Sequence, residues 1–207
     1  MNTPDRHRVF AGVVALALLT VPGKTQERSL YLDVAQPVEA RVQDLLSRMT
    51  LDEKIALVHG DSKFTTPAIP RLGIPLRWMS DGPHGVREDV NANNWFPAGR
   101  TDDFATCLPV GIALAATWNP EAAQDYGDVI GEEALNRGKN IMLGPGVNLM
   151  RTPLNGRNAE YLGEDPWLAS RMAVSYIRAV QSHSVASCVK HFAASSAART
   201  NTSSTAS

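Results

Sequence analysis

Apolar residues recur at helical spacing from Val38 to Met49, at Val38, Val42, Leu45, Leu46 and Met49, which predicts a helix with one apolar face. Thr50-Leu51-Asp52-Glu53 follows as a capping box, because a Thr hydroxyl and a Glu three residues on satisfy each other's exposed amides. A second helix is expected from there through Ile55 and Val58 to Gly60, and both helices are expected to lie on an outer surface. From Ile69 the texture changes to short apolar runs separated by Gly and Pro. Ile74 to Met79 reads as a buried strand closed by Ser80-Asp81-Gly82-Pro83. Asn119 as cap and Pro120 in the first turn open a helix that runs past Ile130, Glu133 and Ala134 to Gly138. Ile141 to Leu143 is a brief strand, and Asp165-Pro166 starts a helix striped by Leu168, Met172, Ile177 and Val180. Val185 to Phe192 reads as a third strand with Lys190 and His191 at its end. Strands alternating with helices imply an α/β fold with a parallel sheet.

Composition narrows the function. The 207 residues are 43% hydrophobic and 20% charged with a net charge of −1, a globular profile without the basic field that nucleic-acid binding requires. No apolar run reaches the ~18 residues of a membrane span. Cys107 and Cys188 are the two cysteines; they suit neither a disulfide framework nor a zinc site, and a single bridge between them is left open. Arg6, His7 and Arg8 precede the apolar stretch Val9 to Val21, and Pro22-Gly23 ends it. That is the layout of a secretory signal, so residues 1–23 are expected to direct export to a secreted or periplasmic location. Residues 24–194 then form one domain, and residues 195–207 a small, polar, low-complexity tail.

The chemistry-bearing residues follow predicted strands: Asp81 after the first, the Arg151–Arg157 stretch after the second, Lys190-His191 after the third. In a parallel α/β barrel such strand ends share the substrate face, whereas in an open doubly wound sheet they line the switch-point crevice. SDGPHGVR (Ser80 to Arg87), ALAATWNPE (Ala113 to Glu121), MLGPGVNLMRTPLNGRNAEYLGEDPWLAS (Met142 to Ser170) and VKHFA (Val189 to Ala193) occur in that order. Together they closely resemble the N-terminal domain of glycoside hydrolase family 3, in its bacterial β-glucosidase branch, and RVQDLLSRMTLDEKIALVHG (Arg41 to Gly60) is similar to that family's opening segment. The resemblance implies the first strands and helices of a (β/α)8 TIM-type barrel. It also implies a retaining, exo-acting glycosidase that acts on terminal β-linked glucosides or oligosaccharides without metal or cofactor.

Residue by residue, Asp81 matches the family's substrate carboxylate, Arg157 and Lys190-His191 match its donors to the sugar hydroxyls, and Arg87 matches a further arginine near the sugar. Each has a plain structural alternative. Asp81 suits a turn before Gly-Pro, Arg157 a surface pair with Glu160 or Glu164, Lys190 a salt-bridged strand end, and His191 a buried, hydrogen-bonded ring. Successive strand residues point to opposite faces, so Lys190 and His191 can meet one sugar only across a local bend. Trp78, Trp95 and Trp118 are read as core or loop packing, and His59, His84 and His183 as structural or surface residues.

Retention needs two carboxyl groups about 5 Å apart, a nucleophile and a proton donor. The resemblance puts the nucleophile Asp on a later barrel strand and the acid/base Glu in a second domain, so no catalytic residue is expected in this chain. The segment after Ala194, rich in Ser, Ala and Thr, departs from the family pattern, and a shifted reading frame in the source gene is the expectation. Ala159 stands where relatives carry an aromatic residue, which is expected to loosen packing beneath Arg157. Three other readings compete with this one. A noncatalytic sugar-binding module would use the same residues. A nucleotide-binding domain lacks G-x-G-x-x-G. An N-acetylglucosaminidase would continue Lys-His-Phe with its own histidine segment rather than Ala193-Ala194. Fused to a reporter, residues 1–23 are expected to carry it out of the cytoplasm; a reporter retained inside rejects the export signal.

Overall fold

The computed structural model describes residues 29–91, 94–102 and 104–192. The expected export signal and the Ser/Ala-rich tail lie outside these residues. The chain divides into a small unit up to Arg48 and a larger one from Met49.

In the small unit a 3-10 turn at Leu30–Leu32 is tied to helix α1 (Val38–Arg48). The Tyr31 amide donates to Asp44 Oδ2 at 3.0 Å, and Arg41 Nε donates to the Tyr31 carbonyl at 3.0 Å. In the larger unit the expected capping box is formed. The Thr50 side chain accepts from the Glu53 amide and the Glu53 carboxylate accepts from the Thr50 amide, starting α2 (Leu51–Leu57).

Four short strands follow in the order β1 (Thr65–Thr66), β2 (Arg77–Ser80), β3 (Ile141–Met142) and β4 (Ala186–Ser187). β1 runs antiparallel to β2, with Thr65 opposite Trp78. β2, β3 and β4 are parallel, with Met79 opposite Ile141 and Ile141 opposite Ala186. The parallel sheet expected from the alternation is therefore present, and β1 is an addition to it.

The strands are shorter than their apolar runs. Ile74 does not belong to β2, because its backbone exchanges hydrogen bonds with Ile69 across a turn at Pro70–Leu72. Gly73 closes that turn at φ 65°, a left-handed conformation that glycine adopts without strain. Pro75 then has no N–H to give to a ladder. Beyond β4, pairing persists only at single points, where the Cys188 amide donates to the Met142 carbonyl and the Lys190 amide to the Pro145 carbonyl.

Helices α3 (Gly111–Ala115) and α4 (Pro120–Asn136) lie in the crossover from β2 to β3, and α5 (Pro166–Ser182) in that from β3 to β4. α4 and α5 start as their caps require. Asn119 accepts from the Glu121 amide, Asp165 from the Trp167 and Leu168 amides, and a Pro occupies the first turn of each. The core is built between them and the sheet from Ile130, Ala134, Met142, Met172, Tyr176, Val180 and Val185. α4 and α5 approach closely at two glycines. A Cβ at Gly127 would lie 2.5 Å from the Tyr176 carbonyl oxygen and one at Gly131 2.7 Å from the His183 ring.

Gly127→Ala is therefore expected to push the two helices apart and to cost on the order of 1–3 kcal/mol, the usual penalty of overpacking. Urea unfolding checks this, and an unchanged midpoint would show that the helices part without cost.

Candidate functional site

Parallel strands bring their C-terminal ends to one edge, and there the sequence supplies polar residues. Asp81 leaves β2 directly, and Lys190 lies three residues past the end of β4. Lys190 Nζ donates to Asp81 Oδ1 at 2.5 Å, joining residues 109 positions apart in the chain. The Lys190 side chain is 12% exposed and that of Asp81 31%. The Gly82 amide also donates to Asp81 Oδ1 at 2.9 Å, so Asp81 is both the expected turn residue and the partner of Lys190. Among the described residues, Asp81 Oδ2 receives no protein donor.

A second carboxylate completes the cluster. Glu160 lies on a 3-10 turn (Asn158–Glu160) and accepts from Arg157 through two parallel bonds, Nε to Oε1 at 2.7 Å and a terminal nitrogen to Oε2 at 2.9 Å. Its Oε2 also faces Lys190 Nζ at 3.7 Å and His191 Nε2 at 3.9 Å. Arg157 is thus engaged by Glu160, one of the two partners that its plain structural reading allowed. Glu160 was not among the expected site residues. Its only sequence signal is the Arg-x-x-Glu spacing, which becomes a pair because the short turn places residues three apart on one side.

His191 joins through a bend in the chain: the Lys190–His191 peptide is cis. The His191 amide donates to Asn148 Oδ1 at 2.6 Å, and Asn148 Nδ2 donates to the His191 carbonyl at 3.3 Å. The ring Nδ1 is 3.1 Å from the hydroxyl of buried Tyr161. With the Glu160 carboxylate on the Nε2 side, the tautomer protonated at Nε2 is the one in which Nδ1 accepts from Tyr161. Neither Asn148 nor Tyr161 carries a sequence signal for this role; only the loop geometry puts them there. Ala159 is exposed.

The electrostatics are of one kind. Partial burial pushes the Asp81 carboxyl upward, but the Lys190 ammonium, the Gly82 amide and the Arg87 charge outweigh it and hold it below its ordinary value. Burial likewise opposes ionisation of Glu160, and the Arg157 bonds and charge with the Lys190 charge overcome it. Burial and the neighbouring Arg157 and Lys190 charges depress His191. Near neutral pH the site therefore holds two ionised carboxylates, three cations and a neutral imidazole. Such a set can grip a polyhydroxylated ligand, whose hydroxyls both donate and accept charge-assisted hydrogen bonds.

Arg87 lies on the loop after β2. Its amide donates to the Asp81 carbonyl at 3.0 Å, and its guanidinium faces the rings of Trp95 and Phe64. The other singled-out residues take structural places. His84 Nε2 accepts from the Gly111 amide at 2.9 Å, His183 Nε2 lies 3.2 Å from Asp128, and His59 is exposed. Trp78 carries the Lys139 ammonium 3.5 Å above its ring, and Trp118 is largely exposed. Cys107 and Cys188 are both free and exposed.

Comparison with known proteins gives one answer. Residues 52–206 match the glycosyl hydrolase family 3 N terminal domain, a span that includes the Ser/Ala-rich segment. The β-glucosidase BoGH3A of Bacteroides ovatus is 55% identical over 185 residues, covering 89% of this chain and 24% of that protein. Thermostable β-glucosidase B of Acetivibrio thermocellus is 43% identical over 159 residues, covering 74% of this chain and 20% of that protein. Among solved structures, β-glucosidase 3B of Thermotoga neapolitana in complex with α-D-glucose superposes with a TM-score of 0.67 at 37% identity. It covers 75% of this chain and 23% of that one. The chain thus spans about a quarter of the length of these relatives. Its open sheet of three parallel strands with helical crossovers is part of the (β/α)8 barrel that the sequence leads one to expect. By sequence and by fold, the chain belongs to glycosyl hydrolase family 3, through that family's N terminal domain.

Proposed function

We propose that this chain supplies the sugar-holding part of a retaining, exo-acting β-glucosidase. Its substrate is a terminal β-linked glucoside. The observation that carries the reading is the charge cluster at the ends of β2 and β4, where Lys190 bridges Asp81 at 2.5 Å and faces Glu160 at 3.7 Å. Asp81 Oδ2 is the acceptor for a sugar hydroxyl, while Lys190, His191 Nε2 and the Arg87 guanidinium donate to neighbouring hydroxyls. Arg157 holds Glu160 through Nε and one terminal nitrogen, and its remaining N–H groups are further donors to the sugar. BoGH3A and the Thermotoga enzyme are β-glucosidases, the latter seen with glucose, and both agree with this assignment.

The same electrostatics argue against proton donation from this half of the site. A general acid in glycoside hydrolysis needs a carboxyl whose pKa is raised. Asp81 and Glu160 are both lowered by their cations. The acid is therefore assigned to another segment of the family's longer proteins; the nucleophile is assigned to a later barrel strand on the family resemblance alone, and residues 1–23 to export of the protein.

The 207-residue chain is expected to show no turnover of an aryl β-glucoside above an Asp81→Ala control; measurable turnover overturns the division of roles. Glucose titration by calorimetry separates a noncatalytic sugar-binding module, which gives a saturable signal, from a part that needs the rest of the site.

A chimera in which residues 52–192 replace the matching segment of BoGH3A tests the assignment itself. Asp81→Ala in that chimera is expected to lower kcat/KM at least about tenfold, since an unpaired buried partner costs on the order of 1–3 kcal/mol and each 1.4 kcal/mol is a factor of ten. His59→Ala should leave it unchanged. Because both carboxyls are lowered, their grip on sugar is complete above the ordinary carboxylate range. It is lost as pH falls through the lowered values, and a KM–pH profile of the chimera reads this directly.

A further inference from the structure

Two arginines stand at the site, and they are held differently. Two of the five N–H donors of Arg157 are engaged by Glu160. Arg87 has no side-chain hydrogen bond or ion pair among the described residues; its guanidinium carbon lies 5.4 Å from the Trp95 ring centre and 6.0 Å from that of Phe64. These two rings meet edge to face, 5.8 Å apart and at 80°, so the cation occupies a corner between perpendicular aromatic surfaces. A guanidinium whose charge is answered by aromatic rings rather than by a carboxylate keeps its N–H donors for a ligand.

Both rings are fixed independently. Phe64 precedes β1, and its carbonyl accepts from the Met79 amide at 2.7 Å, within β2 and two residues from Asp81. Trp95 is borne on a loop closed by the bridge between Val90 and Pro97 and by the Ala98 amide donating to the Asp89 carbonyl at 2.7 Å. The Asn91 side chain adds bonds to the Phe96 and Pro97 carbonyls. The loop is rooted in the interior, because buried Asp89 is paired with the fully buried Lys139 and with Arg100. Arg137 donates to the Val86 and Arg87 carbonyls at 2.6 Å each, pinning the backbone that carries Arg87. Trp95 itself is 58% exposed, so its ring is not needed to fill a core. Its contacts are with Phe64, Arg87 and the Lys63 ammonium 4.4 Å from its centre.

We propose that Trp95 and Phe64 are positioning residues that cradle the Arg87 guanidinium beside Asp81 and keep its donor edge open for a substrate hydroxyl. The role rests on the sugar-holding function proposed above, but the cradle itself does not, and the two are separated by experiment. In the 207-residue chain the Arg87 δ and ε protons are expected to be displaced upfield by the indole ring current. Trp95→Ala removes the displacement, and Trp118→Ala leaves it. Arg87 resonances that do not respond to Trp95→Ala overturn the proposal whatever the function is.

In the BoGH3A chimera, Trp95→Ala is expected to raise KM for an aryl β-glucoside about three- to fivefold with little change in kcat, the size of a partly exposed cation–π contact. Trp95→Phe restores most of it. In an Arg87→Ala background the further effect of Trp95→Ala disappears, because a residue that acts through another has nothing left to position. Undiminished effects of the two substitutions in the double variant overturn the positioning role. A chimera without activity rejects the sugar-holding function and leaves the cradle to the resonance test.

Discussion

The contact between Lys190 and Asp81 closes the functional edge of this structure. It joins the exits of the outer two parallel strands, so it forms only once β2, β3 and β4 are paired in register. An ammonium this little exposed needs a close partner, since a carboxylate or ammonium withdrawn from water costs several kcal/mol unless its charge is answered. Asp81 answers it, and Glu160 stands as a second anion on the same cation. Each member of the cluster is thereby tied to a different loop, and the positions of three loops become one constraint.

That constraint also divides the chemistry. A carboxylate surrounded by cations is a good acceptor and a poor acid. Asp81 and Glu160 are held ionised by the cations around them. Binding groups and proton-donating groups are hard to combine in one patch, because the cations that strengthen the first lower the pKa that the second needs raised.

Beneath the site a second set of charges performs a different task. Lys139 is buried against the Trp78 ring and Asp89, and Arg137 spends two donors on backbone carbonyls of the loop after β2. Both cations come from the turn between α4 and β3, so the packing of α4 against α5 is transmitted to the loop that bears Arg87. The close approach at Gly127 and Gly131 is part of the same chain of contacts.

The sequence by itself determined what is local. Caps at Thr50, Asn119 and Asp165 placed the helix starts, because a cap is satisfied within three residues of its own position. Strand-following polar residues and ordered motifs marked Asp81, Lys190 and His191. The ends of the strands were not legible, since Ile74 finds a partner in Ile69 rather than in the sheet, and nothing in an apolar run records which partner it will take. The same is true of the site's supports. Glu160, Asn148, Tyr161 and Trp95 matter through neighbours up to 43 residues away, such as Asn148 with His191. Which donors are consumed and which stay free, as for Arg157 and Arg87, is decided by where folding sets a carboxylate or an aromatic face beside them, and that is a property of the tertiary structure alone.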